Sequence, residues 1–163
     1  MSCCRNFAVN KNMHQANNKL LGSLPTEMSF LTTMEYLYLP NNRIYGSLPT
    51  TIHYLTKLKQ IRLENNLIEG PIPESFFAIP SLEVISLFYN RINGTIPYHF
   101  GNFESLRKLY LQMNRFTGHI PLSFGGLKKL GKHFNLPGYV LKDSYDSLGL
   151  SSLFFRGCNI IFQ

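Results

Sequence analysis

Apolar residues recur along this chain in columns set 24 positions apart. The pairs Leu37/Leu39, Ile61/Leu63, Ile85/Leu87 and Leu109/Leu111 are each separated by one residue, the period of a short strand with one buried face. Ahead of them run Leu31, Leu55, Ile79, Phe103 and Leu127, then Met34, Leu58, Leu82, Leu106 and Leu130; behind them run Leu20, Ile44, Ile68, Ile92 and Phe116. A unit of this length cannot bury its own apolar edge. Its leucines become dry only between neighbouring units, so columns that align in sequence must align in space.

Polar punctuation keeps the same beat. Asparagine stands at Asn18, Asn42, Asn66, Asn90 and Asn114, glycine at Gly22, Gly46, Gly70, Gly94 and Gly118, and proline at Pro25, Pro49, Pro73, Pro97 and Pro121. An inward-turned asparagine has two donors and an acceptor oxygen with which to satisfy backbone groups that a loop leaves unpaired. Glycine permits a backbone shape that side chains resist, and proline fixes φ where the chain bends toward the outer face. The phrase that returns as N-R-I-Y-G-S-L-P, N-L-I-E-G-P-I-P, N-R-I-N-G-T-I-P and N-R-F-T-G-H-I-P is therefore the corner of a coil, repeated because the coil is.

The combined pattern L-x-x-L-x-L-x-x-N-x-[LIF]-x-G-x-[LI]-P resembles the plant-type leucine-rich repeat, the extracellular module of receptor-like kinases, receptor-like proteins and polygalacturonase inhibitors. The fold this implies is α/β: a leucine-rich-repeat solenoid, a right-handed coil with a parallel concave β-sheet and short 3-10 or irregular segments on the convex side. The expected organisation is a degenerate N-terminal segment over 1–11, about five 24-residue repeats over 12–130, and a non-repeat tail or improvised cap over 131–163. The resemblance implies a non-catalytic protein- or peptide-binding module for ligand recognition in signalling or defence, either in this chain or as part of a longer membrane-anchored receptor. An intracellular scaffold or adaptor on the same fold is the alternative, as is a truncated product with no role of its own. By family the compartment is extracellular or the plasma membrane; the absence of an apolar signal-peptide core at the amino terminus favours the cytoplasm.

The repeat weakens at both ends. Met13 and Gln15 occupy the columns that later hold Leu37 and Leu39, while His133 and Asn135 fall where Leu109 and Leu111 predict apolar residues. Residues 131–163 are thus expected to lie outside the array.

Charge and candidate chemistry add less. The net charge of +7 suits an acidic partner, a membrane surface or nucleic acid without choosing among them. Lys128, Lys129, Lys132 and His133, with Lys142 nearby, read as a solvated basic surface, and nucleic-acid binding is not expected. No apolar run is long enough to span a membrane. Cys3, Cys4 and Cys158 make neither a disulfide framework nor a metal pattern, and the five histidines lack ligand spacing. No metal or other cofactor is expected. Gly126 to Lys132 imitates a phosphate-binding loop, but His133 replaces the Ser or Thr that would hold magnesium, and Leu127 and Leu130 already belong to core columns. With no nucleophile motif either, the chain does not read as an enzyme. Asn93-Gly94-Thr95 is a candidate N-glycosylation sequon.

Positions that alternate with the buried pair point away from the core. They contain Tyr36, Tyr38, Arg62, Phe88, Tyr89, Lys108 and Tyr110, rich in the aromatic and arginine types favoured at binding hot spots. These seven form the candidate partner-binding concave face. Five strands about 4.8 Å apart and about 17 Å long offer on the order of 400 Å² of sheet. A standard interface takes about 800 Å² from each partner, so this face is expected to bind weakly alone or to belong to a longer array.

Overall fold

The structure, a computed structural model, describes residues 11–130 and the strand at 134–135. Its strands in chain order are β1 (Asn12–His14), β2 (Leu21–Gly22), β3 (Tyr36–Tyr38), β4 (Arg43–Gly46), β5 (Gln60–Arg62), β6 (Leu67–Gly70), β7 (Val84–Ser86), β8 (Arg91–Thr95), β9 (Lys108–Tyr110), β10 (Arg115–Thr117) and β11 (Phe134–Asn135). The odd-numbered strands form a six-stranded parallel sheet in sequence order, the concave sheet of the solenoid. Leu37, Ile61, Ile85 and Leu109 lie side by side along it, each fully buried.

The even-numbered strands form a second, five-stranded parallel sheet in the order β10-β8-β6-β4-β2. The corner phrase is thus itself a strand, an element that its turn-like glycine concealed. Those glycines take positive φ, for example +79° at Gly70 and +80° at Gly94, a region open to a residue without Cβ. Five-residue 3-10 segments follow, starting at Thr26, Thr50, Glu74, Tyr98 and Leu122. Each is preceded by the column proline, whose carbonyl accepts the first turn bond, as Pro49 does from the Ile52 N–H at 3.0 Å. The 3-10 segments bury a further column, Met28, Ile52, Phe76, Phe100 and Phe124. In the later coils this column becomes an aromatic stack, with Phe100 edge-on to Phe77 at 4.9 Å and packed on Phe124 at 5.9 Å.

The asparagine column forms a ladder. Asn66 Nδ2 donates to the carbonyls of Leu39 (2.9 Å) in the preceding coil and Leu63 (3.0 Å) in its own, while its Oδ1 accepts the Ile44 N–H at 3.0 Å. Asn42, Asn90 and Asn114 repeat the arrangement. Each rung satisfies donors and acceptors that the coil would otherwise bury unpaired. Asn18 does not join: it is exposed and its amide bonds the nearby Gln15 side chain and Ala16 carbonyl.

A charged column runs beside the main sheet. Lys11, Glu35, Lys59, Glu83 and Arg107 alternate in sign at the 24-residue step, and Glu35 bonds both Lys11 (2.9 Å) and Lys59 (2.7 Å). The two lysines hold the Glu35 carboxyl at a pKa of about 2, below its ordinary 4.5, chiefly through the hydrogen bond from Lys59.

The sheet runs past the expected end of the array. β11 pairs in parallel with β9, and Phe134, not His133, stands opposite Leu109. One extra residue after Leu130 shifts the phase, so counting in steps of 24 reads the apolar column one place early. The other residues of the tail, with Cys3, Cys4, Cys158, Lys132, His133 and Lys142, lie outside the described residues.

Candidate functional site

Tyr36 and Tyr38 stand on β3, Arg62 on β5, and Lys108 and Tyr110 on β9, all half-buried on strands whose alternate residues fill the core. Phe88 and Tyr89 follow β7. Strand register sets Tyr38 beside Arg62, Arg62 beside Ser86, and Ser86 beside Tyr110. The seven sequence-predicted residues resolve into two aromatic groups with Arg62 between them.

In the first group His14 and Tyr38 meet edge to face at 4.4 Å, and Tyr36 lies 6.0 Å from Tyr38. The Tyr38 hydroxyl donates to Gln60 Oε1, and the Arg62 guanidinium lies 5.2 Å from the centre of the Tyr38 ring. A cation so placed over a phenol ring gains roughly 0.5–1 kcal/mol or more as water is excluded. In the second group Phe88 packs on Tyr89 at 5.7 Å and on Tyr110 at 6.3 Å. Burial pushes the phenol pKa values of Tyr38 and Tyr110 up; the charge of Arg62 opposes this at both and that of Glu64 adds to it. The strip is therefore partly dry, and one arginine acts electrostatically on both groups.

Two features were not read from the sequence. Val84 and Ser86 occupy outward columns yet are buried, 5% and 3% exposed, because they are small and their neighbours on β5 and β9 are long. The floor drops at β7. Three polar atoms of this face, Arg62 Nε, Glu64 Oε2 and Gln112 Oε1, are shielded from solvent and have no hydrogen-bond partner. Each such atom costs about 1–3 kcal/mol.

Tyr89 is half exposed at φ +52°. The equivalent positions Asn17, Asn41 and Asn65 adopt the same left-handed backbone, which asparagine tolerates and larger side chains resist. Their amides form a second chain of bonds, Asn65 to Asn41 at 2.8 Å and Asn41 to Asn17 at 2.7 Å. Tyr89 and Met113 interrupt it and put apolar side chains on the rim.

Asn93 is exposed on β8, in the second sheet and away from this strip. Among the described residues no group of three or more His, Cys, Asp or Glu is arranged to hold a metal ion, and no helix is long and apolar enough to cross a membrane.

Plant proteins are among the solved structures that resemble this chain. The ectodomain of the membrane receptor kinase GASSHO1/SCHENGEN3 from Arabidopsis thaliana, in complex with Casparian strip integrity factor 2, superposes with a TM-score of 0.77 at 32% identity, over 79% of this chain and 16% of that one. The plant peptide hormone receptor RGFR1, in complex with RGF2, gives 0.71 at 29% identity over 78% and 22%. A plant ice-binding protein gives 0.69 at 25% identity over 77% and 44%. The chain thus spans less than a quarter of the length of either receptor. Comparison with curated proteins finds no match. The leucine rich repeat pattern matches residues 32–92 and 56–116, together more than half of the 163 residues. With its leucine seam and parallel concave sheet in place, the chain belongs to the leucine-rich repeat family.

Proposed function

We propose that this chain is a non-catalytic ligand-binding module whose concave strip, Tyr36, Tyr38, Arg62, Phe88, Tyr89, Lys108 and Tyr110, takes an extended peptide or a protein segment in receptor-type signalling or defence. The observation that carries this reading is the pair of aromatic groups on the concave face, the first with the Arg62 guanidinium over its Tyr38 ring. Receptors of the same fold support it, among them the peptide hormone receptor solved in complex with RGF2. The ice-binding relative shows that the coil alone does not dictate the ligand, so the strip's side chains must. Replacing Tyr38, Arg62 and Tyr110 together by alanine leaves the leucine seam intact and should abolish capture of the partner by the immobilised chain. Capture unchanged by the triple variant refutes the concave assignment.

Asn93 belongs to the same proposal as a glycan acceptor, since a sugar on β8 leaves the concave strands clear. Expressed through a secretory pathway, the chain should lose the mass of one glycan on endoglycosidase digestion, and Asn93→Gln should remove that shift. An undigested mass equal to that of the bare chain favours the intracellular scaffold.

A further inference from the structure

We infer that the concave strip selects an extended acidic peptide that crosses the strands, with apolar side chains at positions i and i+4 and an aspartate or glutamate at i+2. This rests on the strip being the ligand surface and adds the chemistry that the ligand must carry. His14, Tyr38, Arg62, Ser86 and Tyr110 stand in one register row across β1, β3, β5, β7 and β9. The two aromatic groups lie toward opposite ends of that row, His14 with Tyr38 at one and Tyr110 with Phe88 at the other. Each of these strands is three residues long, so a ligand laid along one strand would meet one group. A chain that crosses the strands meets both.

Strand spacing sets the ligand's period. Tyr38 and Tyr110 are three strands apart, about 14 Å. An extended chain advances about 3.3 Å per residue and returns a side chain to the same face every second residue, so side chains at i and i+4 face the sheet together about 13 Å apart. A pair at i and i+2 spans about 7 Å and leaves one group empty; a pair at i and i+6 spans about 20 Å and overshoots. The i+2 side chain then falls between Arg62, about 5 Å from the Tyr38 end, and Ser86, about 10 Å from it. Ser86 is buried, so Arg62 is the polar side chain it meets. Among the described residues Arg62 forms no ion pair, those present joining Lys11, Glu35, Lys59, Glu83 and Arg107; its contact is the Tyr38 ring. Its Nε is shielded, but its terminal nitrogens are not, and these can reach a ligand carboxylate. Glu64 lies two residues on, about 6.6 Å off the row along the strand direction, so a carboxylate on the row sits nearer to Arg62 than to Glu64. Lys108, likewise outside the ion pairs, flanks the row from the other side. A half-buried guanidinium without a carboxylate partner favours a ligand that brings one.

A phage-displayed library of random dodecapeptides, selected on the full chain, tests this. Selected peptides should share apolar residues four positions apart with Asp or Glu midway. Two changes to a selected peptide need no variant of the chain: inserting one glycine between the anchors, and replacing the acid by its amide. Each should weaken binding about tenfold or more, the loss expected when a charge-assisted hydrogen bond or an anchor contact is removed. On Arg62→Met, checked for an unchanged melting midpoint, the acid and amide peptides should bind within about twofold of each other. Peptides whose binding needs Tyr38 and Tyr110 but whose anchors keep another separation, or which tolerate the inserted glycine, overturn the crossing geometry alone. An acid-to-amide loss that is absent on the native chain, or that persists on Arg62→Met, overturns the acidic assignment. Absence of any enriched peptide, or binding indifferent to Tyr38 and Tyr110, overturns the concave reading and this inference together.

Discussion

Asn66→Ala tests whether the asparagine ladder holds the coils together. The substitution removes four bonds: one accepted from the Ile44 N–H and three donated to the carbonyls of Leu39, Leu63 and Glu64. These losses are unequal. The carbonyls keep other donors, Leu39 from Asn42, Leu63 from Asn90 and Glu64 from the Asn41 N–H. The buried Ile44 N–H keeps none, and orphaning it costs about 1–3 kcal/mol, to which the weakened carbonyls add roughly 1 more. The expected total is about 2–4 kcal/mol. Asn18→Ala is the internal control, because that amide is exposed and bonded only locally; it should cost at most about 0.5 kcal/mol. Urea unfolding followed by far-UV circular dichroism measures both, the chain having no tryptophan to report by fluorescence. Asn66→Asp adds a test of sign. It keeps the acceptor for Ile44 but turns a second oxygen toward carbonyls, so the new carboxyl should have a raised pKa in the folded chain. Its deficit should be smallest below about pH 3.9, the ordinary aspartate value, and grow as pH rises through the folded pKa. If Asn66→Ala cost no more than Asn18→Ala, the ladder would be ornamental and the coil corners would be held by their own backbone.

Tyr89→Asn should stabilise the chain by about 0.5–1 kcal/mol, since asparagine suits φ +52° and regains the bond to Asn65, while weakening ligand capture through loss of the rim aromatic; denaturant midpoint and binding should move in opposite directions. Glu35, with its folded pKa lowered to about 2, contributes stability that is fully present above pH 4.5 and is lost as pH falls through about 2. Raised by its bond to Glu35, the Lys59 pKa extends the pair's contribution upward until pH passes that folded value. Glu35→Gln should therefore flatten the acid limb of a stability-versus-pH curve measured at low salt; an unchanged limb removes the charged column from the account.

Most of this fold was legible because a solenoid writes its contacts into its period. The leucine seam, the inward asparagines and the strand register are all fixed by one spacing, so each coil corroborates the others. Legibility fails wherever the period stops carrying information. β11 was missed because a single extra residue moves Phe134 into the place that counting assigns to His133. The second sheet was missed because two- to five-residue strands with glycine at or near their ends look like turns. On the concave face, column position alone placed the aromatic residues, but not the burial at β7: Ser86 and Val84 are outward by register and buried because Arg62, Lys108 and Tyr110 rise around them, a height difference that no one-dimensional pattern contains.

The candidate site is also where the repeat gives up regularity that elsewhere stabilises it. Through Asn17, Asn41 and Asn65 the left-handed position is filled by the residue that suits it and links to its neighbours; at Tyr89 and Met113 the chain accepts backbone strain and loses the link. On the same face, a carboxylate, a guanidinium and an amide each leave an atom shielded and unpaired, although the Glu35 column shows how readily this sequence pairs opposite charges when stability is the outcome. Strain and unsatisfied polar groups gathered on one face are what a surface pre-formed for a partner requires, because the partner then supplies contacts the free chain forgoes. Stabilising substitutions at Tyr89, Arg62 and Glu64 should consequently be easy to find and should each weaken ligand capture, whereas stabilising substitutions on the second sheet should leave capture unchanged.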